Sequence, residues 1–219
     1  MAKLTPLPQP MCRSCCRPLE YGDQCATCRF EGRRLDAIFV RYPFRTPLRD
    51  AVHRLKFQNK RYLARDLAGV AVEAMPADTA IDGLVPVPLH PTRERERGYN
   101  QSALIASAVG ELVDLPVRSD ILERVKATPA QTRRPRAERL MAMRGAFSAT
   151  TNLKGARLLL VDDVLTTGAT LDAAVRALKR RQAAWVGAVV VAHQPSDSPH
   201  PWIRTKGGRP NETGVKPSR

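Results

Sequence analysis

No window of the 219-residue chain reaches the roughly eighteen consecutive apolar residues that a membrane-spanning helix needs. The first ten residues, Met1 to Pro10, are Pro-rich and lack the apolar core of a secretory signal, so a cytoplasmic location is expected. Cysteine is missing after Cys28: all five lie between Cys12 and Cys28. Without a secretory signal, that grouping favours a metal over disulfides. Acidic residues are also few, 21 against 36 Lys and Arg, which leaves a formal charge of +15. Such an excess attracts polyanions, nucleic acid and phosphorylated ligands alike, and does not choose between them. A generically basic, Arg/Ala-rich protein is the plainer reading of the same number. There is no internal repeat, which excludes solenoids and propellers.

The stretch that organises the rest is Arg157-Leu158-Leu159-Leu160-Val161-Asp162-Asp163-Val164-Leu165-Thr166-Thr167-Gly168-Ala169-Thr170. A short apolar run predicts a buried strand, and Leu171, Val175 and Leu178 then recur at helical spacing. Strand, polar turn and helix in this order aim backbone N–H groups and a helix N-terminus at one point, where a phosphate fits. Two adjacent acids repel unless a cation, water or a hydroxyl-rich ligand lies between them. The alternative is a plain connection whose Asp and Thr residues cap a helix.

This stretch resembles the phosphoribosyl pyrophosphate loop of the type I phosphoribosyltransferases. The resemblance implies that Asp162 and Asp163 hold the ribose hydroxyls. It implies that Val164, Thr166, Thr167, Gly168, Ala169 and Thr170 surround the 5′-phosphate.

At the other end, Cys12-x2-Cys15 and Cys25-x2-Cys28 are two knuckle-like pairs, with Gly22 and Asp23 able to turn the chain between them. Four thiolates from two tight turns suit a structural, tetrahedral zinc. Cys16 could substitute for or compete with a ligand, so the fourfold set stays open.

A strand is predicted over Leu35–Tyr42, then Thr46 as N-cap and Pro47 as the first helical residue. The next helix carries Leu48, Val52 and Leu55, and a second runs from about Tyr62 to Met75. Lys56 reads as a solvated lysine, with contact to a bound phosphate as the alternative. Gly83–His90 is a second strand-to-loop passage, and Pro86 and Pro88 place it at a sheet edge or strand end. The Arg/Glu alternation from Arg93 to Arg97 suits a solvated surface. Arg97-Gly98-Tyr99-Asn100-Gln101 instead sets a cation, an aromatic and two amides at the entrance to a helix that continues through Leu112.

The run from Val85 to Gln101 is similar to the signature of the ComF/GntX family of competence-associated, phosphoribosyltransferase-like proteins, and the Cys pairs and the Asp162–Thr170 loop fit it too. The resemblance implies a pyrophosphate loop after Pro88, with Leu89 and His90 near the diphosphate and Arg97, Tyr99, Asn100 and Gln101 close by. Residues 118–144, basic and interrupted by Pro129 and Pro135, resemble the flexible loop that closes over the diphosphate. Arg124, Thr128, Gln131 and Arg139 follow its usual pattern, whereas Arg134 and Ala142 depart from it.

Strands centred on Phe39, Val85, Leu159 and Val189 alternate with helices, so the expected fold is α/β: a parallel-sheet type I phosphoribosyltransferase-like domain over residues 35–195. A zinc module over residues 1–34 precedes it, and a basic tail expected to be disordered follows over residues 196–219. The resemblance further implies phosphoribosyl pyrophosphate and Mg²⁺ as ligands, with Asp162, Asp163 and Arg97 as the catalytic set and an unassigned acceptor. It also implies single-stranded DNA as a partner, with the competence helicase and a recombination mediator as its associates. A non-catalytic accessory protein with a regulatory pocket is the other reading.

Overall fold

The computed structural model describes residues 4–30, 32, 34–78, 80–127 and 141–194. Its centre is a parallel sheet in the order β1-β7-β6-β3, formed by β1 (Ala37–Phe39), β7 (Trp185–His193), β6 (Arg157–Leu165) and β3 (Gly83–Pro86). The two-residue β2 (Tyr42–Pro43) joins it by pairing with the end of β7. β6 and β7 pair from Arg157 opposite Trp185 to Leu165 opposite His193. Their unbroken apolar runs suit strands covered on both faces.

Alternate residues of these strands face opposite layers. Leu159, Val161, Val189 and Val191 pack beneath α2 (Leu48–Phe57), α3 (Leu63–Val72) and α5 (Gln101–Val113). Leu158, Leu160, Val186 and Val190 pack against α6 (Ala169–Arg180), whose Leu171, Val175 and Leu178 form its buried stripe. A small antiparallel pair, β4 (Leu122–Arg124) with β5 (Phe147–Ala149), closes that second layer through Ile121, Phe147 and Ala149.

The expected parallel α/β sheet is therefore present, and the prolines of the 83–90 passage do lie at an edge strand. Two local expectations are corrected. The 35–42 strand is broken into β1 and β2, because the Arg41 carbonyl accepts from Leu7 N at 2.8 Å and so leaves the sheet. Thr46 is not the N-cap of α2. Pro47 occupies that position with helical backbone angles, and Thr46 Oγ1 donates to Asp50 Oδ2 at 3.2 Å. The Arg/Glu run buries no residue, as a solvated surface requires, and forms a helix, α4 (Pro91–Arg97), begun by His90 Nδ1 accepting from Thr92 N and ended by Gly98 at φ 80°. β4 lies within the 118–144 segment, and β5, which pairs with it, begins just beyond that segment's end.

The N-terminal module joins the domain through short contacts. Ser14 Oγ donates to the Leu35 carbonyl at 3.4 Å, while Cys16, Met11 and Leu7 enter the α6-side core.

Candidate functional site

Both loops singled out in the sequence leave the carboxyl end of the sheet, where ligands of parallel α/β folds bind. β3 and β6 are neighbours, and Val87 N donates to the Val161 carbonyl at 3.0 Å, one step beyond Pro86. Buried Asn100, the N-cap of α5, ties the two loops together. Its Nδ2 donates to the Val87 carbonyl at 3.0 Å and its Oδ1 accepts from Ser102 N at 2.9 Å. Ser102 Oγ then donates to Asp162 Oδ1 at 2.9 Å, an oxygen that also accepts from Asp163 N.

Asp162 and Asp163 lie inside β6, not in the turn beyond it, so strand geometry sends their carboxylates apart. Asp163 is buried and forms an ion pair with Lys56 Nζ at 2.5 Å. The reading of Lys56 as a solvated lysine is thereby corrected, since helix α2 delivers it into the crevice. Asp162 is pushed up to about 7, first by burial of its carboxyl and then by the charge of Asp163, with Lys56 opposing. Near neutrality it can carry or release a proton.

After Leu165 the chain turns through exposed Thr166 and half-buried Thr167 to Gly168, whose φ of 75° only glycine adopts readily. Thr167 Oγ1 accepts from Ala169 N at 3.5 Å. Gly168 has no side chain to cap α6, so Thr167 engages the Ala169 amide and the Thr170 amide is left without a side-chain cap from Gly168. Val164 is half-buried on the same strand.

Arg97 Nη1 donates to Gln101 Oε1, and its guanidinium lies 5.3 Å from the centre of the Phe57 ring. Tyr99 is 8% exposed and gives its hydroxyl to the Leu55 carbonyl, so it anchors α2, and with it Lys56, from below. Leu89 and His90 are half-buried, and His90 caps α4. From the expected flexible loop, Arg124 is half-buried over the Phe147 ring at 5.5 Å. Burial lowers its pKa, aided by the charge of Arg93, and Asp162 acts against both, so it senses the crevice electrostatically. Thr128, Gln131 and Arg139 lie outside the described residues, as does the tail.

Sequence reasoning missed Ser102 and the pairing role of Lys56. Ser102 is the third residue of an N-capped segment and looks like ordinary capping chemistry. Nothing local distinguishes Lys56 from its basic neighbours.

Cys12, Cys15, Cys25 and Cys28 converge, with all four Sγ atoms within 4.8 Å of one another. Cys15 and Cys25 sulfurs are 3.8 Å apart. That matches the edge of a tetrahedron with zinc–sulfur bonds of about 2.3 Å. Cys25 N donates to Cys12 Sγ at 3.3 Å and Cys28 N to Cys25 Sγ at 3.5 Å, so backbone amides of the second knuckle reach the sulfurs. Cys16 does not compete. It packs in the α6-side core at 2% exposure, and burial raises its pKa so that it stays a thiol.

The fold and the two joined loops define a phosphoribosyltransferase-type domain, and the phosphoribosyl transferase domain family matches residues 100–213. The chain is 30% identical over 181 residues to competence protein F of Haemophilus influenzae, covering 78% of this chain and 79% of that one. It is 27% identical to competence protein ComFC of Bacillus subtilis, covering 81% and 75%. A weaker likeness, TM-score 0.41 at 19% identity, relates 58% of the chain to 26% of the glutamine phosphoribosylpyrophosphate amidotransferase from B. subtilis. It carries no argument beyond the others. The chain belongs to the ComF family of competence-associated proteins, within the type I phosphoribosyltransferase superfamily.

Proposed function

We propose that the crevice between the 87–102 segment and the Asp162–Thr170 loop binds phosphoribosyl pyrophosphate with Mg²⁺, and that the protein serves the uptake or processing of single-stranded DNA. The observation that carries the first part is the adjacency of two acids, a Thr-Thr-Gly turn and a helix N-terminus at the end of one strand. Carboxylates accept from ribose hydroxyls, and amide N–H groups at a helix start donate to a phosphate. The second part rests on the net charge of +15 and on kinship with proteins named for competence.

The donor set fits the cation. Asp162 keeps part of its surface open at the crevice, and hard carboxylate oxygens are what Mg²⁺ takes. When bound, the ion would neutralise diphosphate oxygens. Asp162 and Asp163 would orient the ribose, and the turn from Thr166 to Thr170 would fix the 5′-phosphate. Transfer breaks the bond from ribose C1 to the diphosphate oxygen, which leaves with the electron pair, while an acceptor forms the new bond at C1. Arg97 and Arg124 would stabilise the charge that develops on the leaving pyrophosphate. Closure of the 118–144 segment would keep water from C1.

Calorimetric titration of the zinc-loaded protein with phosphoribosyl pyrophosphate and Mg²⁺, beside Asp162→Asn/Asp163→Asn, tests the reading. Binding that the double variant loses supports it. No binding by the intact protein would sink it. A regulatory, non-catalytic pocket is favoured by one observation, the Lys56–Asp163 pair, which already engages one of the two acids. Binding without turnover of any base, amine or nucleic-acid end would select that version.

A further inference from the structure

The corner between α2 and α3 carries a feature that ligand binding in the crevice does not explain. Residues 51–65 contain no acid but include Arg54, Lys56, Lys60, Arg61 and Arg65. Within this basic run two aromatics are turned outward, Phe57 at 65% and Tyr62 at 64% exposure. Leaving such rings in water forgoes the stabilisation of burying them, and large exposed apolar groups mark interaction sites.

The surroundings of Phe57 hold it ready. Arg97 lies 5.3 Å from its ring centre, and the His53 ring packs against it at 4.9 Å, tilted by 48°. Arg61 is fixed as well, with Nε donating to Asn59 Oδ1 at 2.9 Å and its guanidinium 4.5 Å from the Tyr99 ring. Asn59 itself sits at φ 52°, the left-handed turn that separates the two helices. The next residue back, Lys56, points the other way, into the crevice at Asp163. One turn of helix thus connects an exposed aromatic-basic surface with the candidate ribose site.

Aromatic faces interleaved with cations are the means by which proteins hold single-stranded nucleic acid, stacking bases without reading sequence while cations follow the backbone. We propose that this corner docks a single-stranded nucleic-acid chain, with a base stacked on Phe57, a second on Tyr62, and phosphates over Lys60 and Arg61. The strand is thereby led to the mouth of the crevice beside Lys56. The proposal rests on the nucleic-acid half of the function proposed above and gives it a place.

Fluorescence anisotropy with a labelled oligothymidylate tests it on the full, zinc-loaded chain. Phe57→Ala and Tyr62→Ala should each weaken binding about tenfold, in line with the loss of one stacked base. Phe57→Trp should retain binding and show quenched indole emission when the oligonucleotide is added. Tyr21→Ala and Phe30→Ala, at the exposed aromatics of the N-terminal module, should bind like the parent. Unchanged binding by the Phe57 and Tyr62 variants overturns the proposal, as does loss confined to the Tyr21 and Phe30 variants. Absence of binding by the parent also overturns it. Titration of the same Phe57→Ala preparation with phosphoribosyl pyrophosphate then reports separately whether the crevice reading stands.

Discussion

Lys56 Nζ and Asp163 Oδ2 are 2.5 Å apart, and their side chains are 22% and 6% exposed. The pair joins α2 to β6 across the candidate site. Removing one member strands the other charge out of water, which costs far more than the pair contributes when intact. Lys56→Met should therefore destabilise the fold by about 3 kcal/mol in urea denaturation. Lys56→Met/Asp163→Asn should recover most of that loss. If the single and double variants unfold at the same urea concentration, the pair is not coupled.

The shifted ionisation of Asp162 gives two opposite pH trends. Its ordinary pKa is 3.8 and its folded value is about 7, raised by burial and by Asp163. Between these values the folded chain holds a proton that the unfolded chain has lost. The contribution of this group to stability therefore falls as pH rises from about 4 to 7 and then levels off. Asp162→Asn should flatten that part of a stability–pH curve. Affinity for a ribose ligand that needs the ionised carboxylate should instead rise through pH 7. Because Lys56 lowers the Asp162 pKa, Lys56→Met should move that midpoint to higher pH, measured by calorimetry over pH 5.5 to about 8.5.

Metal content separates the cysteines. The parent should carry one zinc per chain, and Cys12→Ser should lose it, because four sulfurs within 4.8 Å leave no spare ligand. Cys16→Ala should keep full zinc while losing about 1 kcal/mol of stability from the small void it leaves. Zinc loss in Cys16→Ala, read by elemental analysis, would reverse the assignment.

Gly110 permits a close approach of backbone outside the site. A Cβ there would stand 2.7 Å from the Leu115 carbonyl oxygen and 3.0 Å from Val117 Cγ2. Gly110→Ala should cost roughly 1–3 kcal/mol, because the helix end must move away from the segment that follows it. Thermal unfolding at the parent's midpoint is the check.

What could be read from the residues, and what could not, follows the range of the interactions. The strands at Phe39, Val85, Leu159 and Val189 and the stripe of Leu171, Val175 and Leu178 are patterns of a few neighbouring residues, and the fold keeps them. The cysteine set was legible from spacing, but the exclusion of Cys16 came from core packing that no spacing records. α4 was missed because its residues are all at the surface and show no apolar stripe. Lys56 with Asp163 and Ser102 with Asp162 are separated by nearly half and more than a quarter of the chain, and only the tertiary fold joins them. The end of β6 was misplaced because two acids look like a turn, although continued pairing with β7 keeps them in the strand.

The outer side of β3 is already used. Leu84 N donates to the Pro116 carbonyl and Arg118 N donates to the Leu84 carbonyl, each at 2.8 Å, and Val117 bridges Leu84 in parallel. Pro86 and Pro88 add no donors beyond that point. The opposite margin offers only the three residues of β1 and the two of β2. Among the described residues, a partner that extends a sheet by adding its own strand finds no long free ladder on this sheet. The rim of this sheet is, among the described residues, a poor place to recruit a partner strand, and helical faces and loops are left for assembly with other proteins.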